Sequence, residues 1–352
     1  MLGSSWAKTK TKRLLRAKAA DSQGLKTKFF DYWHPELDEA LQILPETDIF
    51  PHELFRLLMK MSDPMKKQLI LVTDHNEPVA LAGLRNRWGY WEPVTQWIVP
   101  GVLFPVKEGY LARVLPALGV EMKIAWWRWE TPPPQNRWII NARSEPIYAA
   151  RCTEDYEKHW RKSSLLRNVR SIRNRCAGFD IKVNMPGSTE WTIRNWDTKW
   201  CPQGIAHMPD LDERLLTAQY LEKKGLSYTL SLLDQGNFVA GLTFIIHRND
   251  AVSHHTYRNP EYNRYGVMTR LWDYSFPWAK EMEFDYVELG GSFDYKREWA
   301  PQHGEKWKFD VCPGNILLEK RASKILLRVK NMLKNKLSSK VYLMEKVVEV
   351  WN

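Results

Sequence analysis

The chain has 352 residues, enough for two domains of ordinary size, with 44% hydrophobic and 26% charged residues. That composition is typical of a globular protein with buried cores. The sequence contains no uncharged apolar run near the roughly 20 residues that a membrane-spanning helix needs, and its start lacks the apolar core of a signal peptide.

The cysteines give no sign of a metal or disulfide framework. Cys152, Cys176, Cys201 and Cys312 show neither CxxC spacing nor a His/Cys cluster with the spacing of zinc ligands. We therefore expect a reduced, cytoplasmic protein that has no metal and no transmembrane segment.

The net charge of +11 is concentrated at the two ends of the chain. Residues 1–28 hold eight Lys/Arg against one acid, and residues 318–346 hold nine against two. The rest of the chain is therefore slightly acidic, which argues against a nucleic-acid footprint over the whole surface. Basic ends favour an anionic partner such as membrane lipid at the periphery of a bilayer, tRNA or an acidic carrier protein; solubilising tails are the alternative.

A basic arm over 1–27 precedes a first unit predicted over 28–150. In this unit, a helix over 52–61 is followed by two apolar runs within 69–84 that a polar turn separates, which is a β-hairpin pattern. The proline-rich stretch 130–135 ends these patterns and predicts a joint between two units.

A short strand over 137–143 follows the joint, and a second unit is predicted over 151–316. It opens on a basic helical segment, 154–176. Arg167 and Arg170 in this segment belong either to a solvated helix face or to a clamp for phosphate, sulfate or carboxylate, which guanidinium binds in a bidentate fork.

The second unit repeats the pattern of the first. A helix over 211–224 precedes a hairpin over 229–244, and Asp234 in this hairpin matches Asp74 in the hairpin over 69–84. Helix followed by hairpin, twice, predicts two copies of one α/β unit, and chance similarity of two hairpins is the alternative.

Four elements complete the second unit: a strand over 251–258, a helix over 267–282, and strands over 284–290 and near 306–312. Pro277 predicts a kink or a break in the helix. The remaining residues, 317–352, predict a basic amphipathic helical tail.

This order of elements resembles the core of GNAT acyltransferases. The stretch ELGG at 288–291, followed by Tyr295 and Lys296, resembles the Fem-type and "acetyltransferase 6" branch of that superfamily, in which tandem units are common. The motif-bearing part of the resemblance covers about 154–312. It implies an α/β (α+β) fold of two tandem GNAT-like units, each a mixed twisted sheet flanked by helices, with a non-catalytic first unit.

The resemblance also implies an activity. The expected protein is an N-acyltransferase that moves an acyl group from acyl-CoA or an acyl-carrier-protein thioester to an amine of an amino acid, peptide or amino sugar, without a covalent enzyme intermediate. Aminoacyl-tRNA-dependent transfer, as in Fem-type enzymes, is one alternative, and a binding protein that uses the scaffold without turnover is another.

The donor site is expected at the start of the helix over 267–282. A helix N-terminus offers unpaired backbone N–H groups and the positive end of the helix dipole. Arg264, Tyr265, Gly266 and Val267 stand there and are the predicted donor-binding residues. An ordinary turn and cap is the alternative.

The strand over 251–258 offers candidate bases. His254 and His255 are adjacent, so alternation predicts that one of them faces the cleft, where a neutral imidazole suits removal of a proton from the acceptor amine. A packed histidine is the alternative. Tyr257 on the same strand is a predicted substrate contact.

The stretch after the last core strand supplies further candidates. Gly290 and Gly291 permit close approach of a substrate to bare backbone. Asp294 is a second candidate base, and Tyr295 a proton donor or stacking surface. The resemblance favours Lys296 as the cation for an oxyanion or phosphate.

Two neighbours complete the predicted site. Glu288 ends the strand and is a predicted substrate contact, and Trp299 is expected to close the cleft wall. The alternative is a latch in which Tyr295 and Trp299 pack while the charged residues form surface pairs.

Overall fold

The computed structural model describes residues 24–61, 66–87, 89–127, 133, 138–153, 155–160, 164–202, 205–291 and 293–312. The basic tail, nearly all of the basic arm and the proline-rich joint apart from Pro133 lie outside the described residues.

Strands and helices alternate along the chain. The strands are β1 (Lys26–Phe30), β2 (Lys67–Asp74), β3 (Glu77–Arg87), β4 (Tyr90–Pro93), β5 (Met122–Trp127), β6 (Ile139–Arg151), β7 (Asp180–Val183), β8 (Ser227–Asp234), β9 (Asn237–His247), β10 (Asp250–Arg258), β11 (Tyr286–Glu288) and β12 (Gln302–Val311). The α-helices are α1 (Pro35–Ile43), α2 (His52–Lys60), α3 (Leu111–Ala117), α4 (Tyr156–Trp160), α5 (Leu165–Arg175), α6 (Ser188–Trp200), α7 (Leu211–Lys223) and α8 (Val267–Glu281). Short 3₁₀ helices cover Pro260–Tyr265 and Asp294–Glu298.

The described strands form one continuous mixed sheet in the order β1-β2-β3-β4-β5-β12-β6-β11-β10-β9-β8-β7. Its two halves have the same pairing pattern. The pair β4–β5 in one half and the pair β10–β11 in the other are parallel, and the remaining neighbours are antiparallel. The α+β fold of two tandem units that the resemblance implies is confirmed by this arrangement.

The repeat extends to the register of the hairpins. The residue numbers of β2 and β3 differ by 160 from those of β8 and β9. Both hairpins carry a register shift at the equivalent point, between Val72 and Thr73 in the first and between Leu232 and Leu233 in the second. Helix α2 precedes the first hairpin and α7 the second, as the sequence predicts.

The two halves exchange their last strands. Strand β6 follows β5 in sequence but pairs with β11, and β12 follows β11 but pairs with β5. The exchanged strands then pair with each other, with Glu145 opposite Lys306 and Pro146 opposite Glu305. The predicted boundary between the two units, at residues 150 and 151, stays a prediction. The sheet joins the units across this boundary, because β6 pairs with β11 and β12 pairs with β5.

Alternation within the central strands explains their unbroken apolar runs. Leu69 and Leu71 of β2 pack toward α1 and α2, whereas Ile70 and Val72 pack on the other face with α3 and β12. A separate core gathers α5, α8 and strands β8 to β11. Helices therefore cover both faces of the sheet.

Two boundaries differ from the sequence prediction. Helix α8 continues through Pro277 and is not split there, since Phe276 and Trp278 on either side are buried in the core. Strand β11 ends at Glu288 rather than at 290, because Gly290, two residues on, has a φ of 65° and so leaves the extended backbone of a strand.

Candidate functional site

A cavity of about 470 Å³ opens between the two units. Aromatic side chains form much of its wall; they are Tyr90, Trp97, Trp196, Trp200 and Phe293. Its charged or titratable lining residues are Arg87, Arg214, His254, Glu288, Lys296 and Lys306. A mainly apolar cleft with a few converging polar groups has the character of a small-molecule site.

The cavity exists because β10 and β11 separate. Their parallel pairing is limited to Ala251 with Val287 and Val252 with Glu288. Beyond Val252, a register shift between Ser253 and Thr256 turns β10 away from regular pairing with β9. Past this point β10 pairs with β9 again from Thr256 to Arg258, and Ser253, His254 and Thr256 line the cavity.

Gly290 holds the other side of this opening. A Cβ placed on it would stand 2.6 Å from the carbonyl oxygen of Ser253, and its φ of 65° is in the left-handed region. Only glycine fits both constraints without strain. Gly290 therefore lets the chain after β11 pass close against β10 at the edge of the cavity.

Two buried lysines meet one buried carboxylate in the cavity. Lys296 is 6% exposed, Lys306 3% and Glu288 4%. Burial lowers the pKa of Lys296 to about 8, although the charge of Glu288 acts in the opposite direction. Burial likewise lowers the pKa of Lys306 to about 7, with Glu288 opposing the shift and Lys296 adding to it. Burial therefore brings the pKa of both amines down toward neutrality.

Lys296 is also positioned by its surroundings. Its Nζ donates a hydrogen bond to the carbonyl oxygen of Leu289 and lies 5.5 Å from the ring centroid of Phe293 and 5.9 Å from that of Trp272. Cations bind favourably over such rings. The ammonium is thus held at the end of β11, beside Glu288.

Hydrogen bonds fix both histidines of β10 as neutral rings. Arg214 Nη1 lies 3.2 Å from His255 Nε2, and a guanidinium only donates, so His255 Nε2 accepts. His255 then carries its hydrogen on Nδ1 and donates it to His254 Nδ1 at 2.9 Å. His254 makes its remaining bond to the backbone of Trp97.

The pKa values of the histidines agree with this arrangement. Burial, followed by the charge of Arg214, lowers the pKa of His254 to about 3. Burial, and then the neighbouring His254 and Arg214, lower the pKa of His255 well below its ordinary value. Neither imidazole keeps an unshared ring nitrogen for a substrate proton, so the geometry disfavours the predicted base role of His254 and His255.

Trp97 is held in a conformation that tryptophan seldom adopts. Its φ is 69°, and its carbonyl oxygen accepts a hydrogen bond from Arg214 Nη1 at 2.6 Å. Backbone strain of this kind persists where surrounding contacts enforce it and is frequent at functional sites. Arg214 therefore connects the loop of the first unit that carries Trp97 to the histidines of the second.

A buried ion network joins the units beneath the cavity. The guanidinium of Arg85 is fully buried, with Glu92 at 2.9 Å, Asp210 at 3.3 Å and Glu213 as its third partner. Arg87 adds an ion pair to Asp210 at 3.2 Å. Charges at this depth are tolerated only when they are paired.

Asp210 links this network to the cavity. Burial alone would raise the pKa of its carboxyl, but Arg214, Arg85 and Arg87 outweigh burial and lower the pKa to about 2. Its Oδ2 accepts from Arg214 Nη2 at 2.7 Å. The connection from Asp210 through Arg214 and His255 ends at His254 in the cavity wall.

Five of the residues predicted from the sequence line this one cavity: His254, Glu288, Gly290, Gly291 and Lys296. His255 lies directly behind His254, with 1% of its surface exposed. Strict alternation does not describe the pair, because the register shift brings the two ring centroids to 4.2 Å from each other.

The 3₁₀ turn after β11 places its other candidates outside the cavity. Asp294 is exposed, and Tyr295 is 53% exposed and stacked against Phe293. Trp299 does not close the cleft wall as predicted: it is 6% exposed and stacks on Phe276 in the core of the second unit. Trp299 comes directly after the last residue of the 3₁₀ turn, Glu298, and packs inward.

The predicted donor-binding residues do not line the cavity either. A Cβ on Gly266 would stand 2.8 Å from Ile172, so α5 packs tightly against the start of α8, where Val267 is buried. Arg175 donates to the carbonyl oxygen of Arg264, and the Arg264 guanidinium lies over the ring of Tyr265. The glycine here serves helix packing.

The remaining predicted contacts also stand apart from the cavity. Arg167 and Arg170 are exposed on α5. Tyr257 packs edge-on against Trp191, with ring centroids 5.3 Å apart. None of the three is a lining residue.

Sequence reasoning missed Lys306, Arg214 and the tryptophan walls. Alternation in β12 does place Lys306 on the face opposite Trp307 and Phe309. What the sequence does not reveal is that the exchanged strand brings that face to the cavity. Arg214 follows Asp212 and Glu213 in the first turn of α7, and such a charged stretch is typical of a solvated helix face.

Among the described helices, none is long and apolar enough to cross a membrane. Within the same residues, no group of three or more His, Cys, Asp or Glu side chains is arranged to hold a metal ion.

No model of a protein family matches the sequence. No curated protein matches it either. Solved structures similar to this chain include FemX, with 11% identity, coverage of 81% of this chain and 97% of that one, and a TM-score of 0.43. A tandem GNAT protein from the clavulanic acid biosynthesis pathway has 11% identity, coverage of 81% and 98%, and a TM-score of 0.44. L-PGS from Bacillus licheniformis has 12% identity, coverage of 78% and 91%, and a TM-score of 0.44. At such identities these are likenesses in fold.

Proposed function

We propose that this protein is an N-acyltransferase whose cavity holds the reacting groups of an acyl donor and an acceptor amine. The observation that carries the proposal is the pair of buried amines, Lys296 and Lys306, beside Glu288 where β10 and β11 separate. The preferred donor is a thioester of CoA or of an acyl carrier protein, and the acceptor is an amine of an amino acid, peptide or amino sugar.

The two lysines divide the proton transfers. The acceptor amine attacks the acyl carbonyl carbon, so that a C–N bond forms, the C–S bond breaks and the thiolate leaves. With a pKa of about 7, Lys306 is largely neutral slightly above neutrality and takes the proton that the amine loses. With a pKa of about 8, Lys296 stays mostly protonated and supplies positive charge to the oxyanion or a proton to the thiolate.

One observation favours a second candidate, aminoacyl-tRNA-dependent transfer. The residues predicted to grip the pyrophosphate of CoA, Arg264 to Val267, are packed against α5 and do not line the cavity. An aminoacyl ester presents the same acyl carbon to the same lysines without that grip. A scaffold without turnover is less well supported, since the cleft is open and carries titratable groups.

The reaction is proposed to take place in the cytoplasm, with the basic ends in contact with the donor carrier, tRNA or the periphery of a membrane. The first experiment is an intact-mass screen of candidate amines with several acyl-CoAs, a loaded carrier protein and aminoacyl-tRNA. Transfer from a thioester supports the first candidate, and RNase-sensitive transfer from aminoacyl-tRNA supports the second.

The active pair is then tested by Lys306→Met. We expect a loss of transfer of about 100-fold or more, and loss of the rise in rate that accompanies deprotonation near pH 7. Lys308→Met is the matched control, because Lys308 lies on the same strand, pairs with Glu145 and does not line the cavity. Rates of both variants close to that of the unsubstituted protein would overturn the proposed mechanism.

A further inference from the structure

The rim of the cavity exposes aromatic surface. Trp200 and Phe293 line the cavity and yet are 51% and 56% exposed. Tyr295 extends this surface, since it is 53% exposed and its ring centroid lies 6.1 Å from that of Phe293. Exposed apolar side chains grouped at a cavity mouth are typical of a surface that a ligand covers.

Two cations stand beside this rim. Lys199 Nζ lies 5.0 Å from the ring centroid of Trp200, and Arg258 is the last residue of β10. Burial, and then the charge of Arg258, lower the pKa of Lys199, and the charge of Arg258 also reaches Tyr295. Lys199 directly precedes Trp200 and Arg258 stands two residues after Thr256, and both Trp200 and Thr256 line the cavity, so the two cations lie at its mouth.

Neither cation is neutralised by the protein around it. In the part of the chain that the structure describes, the side chains of Lys199 and Arg258 make no hydrogen bond and no ion pair. Other cations near the cavity are paired: Arg87 and Arg214 both contact Asp210. Two like charges held together without a carboxylate favour the arrival of an anion.

We propose that Lys199 and Arg258 form a subsite for the anionic group of an amphiphilic substrate, a phosphate or carboxylate joined to an apolar moiety that enters the aromatic cavity. The proposal rests on the proposed function in taking the cavity as the substrate site. The guanidinium of Arg258 matches such an oxyanion in a planar fork, and Lys199 adds a point charge. Trp200 and Phe293 would cover the start of the apolar moiety.

The test measures binding by calorimetry, on the full chain and without turnover, using dodecyl phosphate below its micellar concentration. The rim variant carries Lys199→Ala with Arg258→Ala. The matched control carries Lys182→Ala with Lys223→Ala, which removes two cations from β7 and from the end of α7, away from the cavity lining. The basic ends are common to all three proteins, so differences between them report on the rim.

We expect the rim variant to bind dodecyl phosphate about tenfold more weakly than the control, the size typical of two exposed charge contacts. Binding of neutral dodecyl maltoside should be the same in all three proteins. A parallel loss of binding to phosphatidylglycerol vesicles identifies a lipid headgroup as the source of the anion. Loss for dodecyl phosphate alone identifies a soluble amphiphile.

Equal binding of dodecyl phosphate by the rim variant and the control would overturn the subsite. So would a loss seen in Lys306→Met but not in the rim variant, since the anion would then lie deep in the cavity. Because no reaction is measured, absence of acyl transfer leaves this result intact. Conversely, equal binding of dodecyl phosphate by the rim variant and the control would overturn the subsite and would not affect the transfer assay, which tests the proposed function.

Discussion

The two halves of the sheet have the same strand order, yet only the second opens into the cleft described above. In the first half, β4 has four residues and pairs with β5 at Trp91 and Met122. In the second, β10 has nine residues and bulges where His254 and His255 stand. The residues equivalent to these histidines in the first half are Val94 and Thr95, in a segment of turns.

The comparison shows that the first copy supplies part of the wall of the cavity that opens in the second copy. Its turns supply Trp97 and Val99 to the cavity, and the exchanged strands supply Ile147 and Lys306. The half of the sheet that holds β10 and β11 would by itself lack β12, which carries the base proposed here, and one face of the cleft. Duplication and strand exchange thus build one site from both copies.

The largest effect on stability is expected when Arg85 of the first copy is replaced by the residue at the equivalent position of the second copy. The equivalent position in β9 is Ile245, which is buried. In Arg85→Ile, the carboxylates of Asp210 and Glu213 lose a fully buried partner, and we expect the free energy of unfolding to fall by about 3–5 kcal/mol. Urea unfolding measures the change.

The control for this prediction is a surface pair of the first unit. Arg56 lies 2.6 Å from Asp38, and both side chains are 40% exposed. Arg56→Met should cost less than about 1 kcal/mol, because water replaces most of the lost interaction. If the free energy of unfolding fell as little in Arg85→Ile as in Arg56→Met, Arg87 and Lys67 would have to neutralise the carboxylates of Asp210 and Glu213 without Arg85.

Much of the fold follows from local pattern. Alternating apolar runs and a polar turn predict both hairpins, and the strand over 251–258 agrees with β10 within one residue. Helices α2 and α7 end within one residue of their predicted ends. These elements are set by side-chain periodicity and by turn residues, which are local properties of the chain.

The exchange of β6 and β12 could not be predicted in this way. Strand partners distant in sequence are chosen by tertiary packing, and the periodicity of a strand does not name its neighbour. The same limit explains why Lys306 was missed and why Trp299 was wrongly placed in the cleft wall. Glu288, Gly290 and Lys296 were found because they follow a core strand in one short motif.

The pH dependence of stability should sharpen the comparison at Lys306, which stands opposite Glu145 where the two exchanged strands pair. The folded-state pKa of Lys306 is about 7, below its ordinary value of 10.5. Between these values the unfolded chain binds the proton and the folded chain does not, so stability rises with pH. The cost of burying this amine is full below about pH 7 and vanishes above about pH 10.5.

Lys306→Met should therefore be more stable than the unsubstituted protein at pH 7, by about 2 kcal/mol, and should lose part of the rise in stability toward pH 10. Lys296, with a folded-state pKa of about 8, keeps the remainder of that rise. Urea unfolding at several pH values measures both. An unchanged slope in Lys306→Met would show that the amine is not buried uncharged.

The smallest effect is expected at Asp294, which the sequence presents as a candidate base but which the structure places on the exposed 3₁₀ turn. Because its carboxyl does not line the cavity, Asp294→Asn should change the transfer rate by less than about twofold and stability by less than about 0.5 kcal/mol. Lys296→Met, only two residues away, should lower transfer strongly, because Lys296 is buried in the cavity beside Glu288. A large loss of transfer in Asp294→Asn would mean that the 3₁₀ turn closes over the substrate and brings the carboxyl inward. The base would then have to be sought on this turn of the second copy, and not on β12.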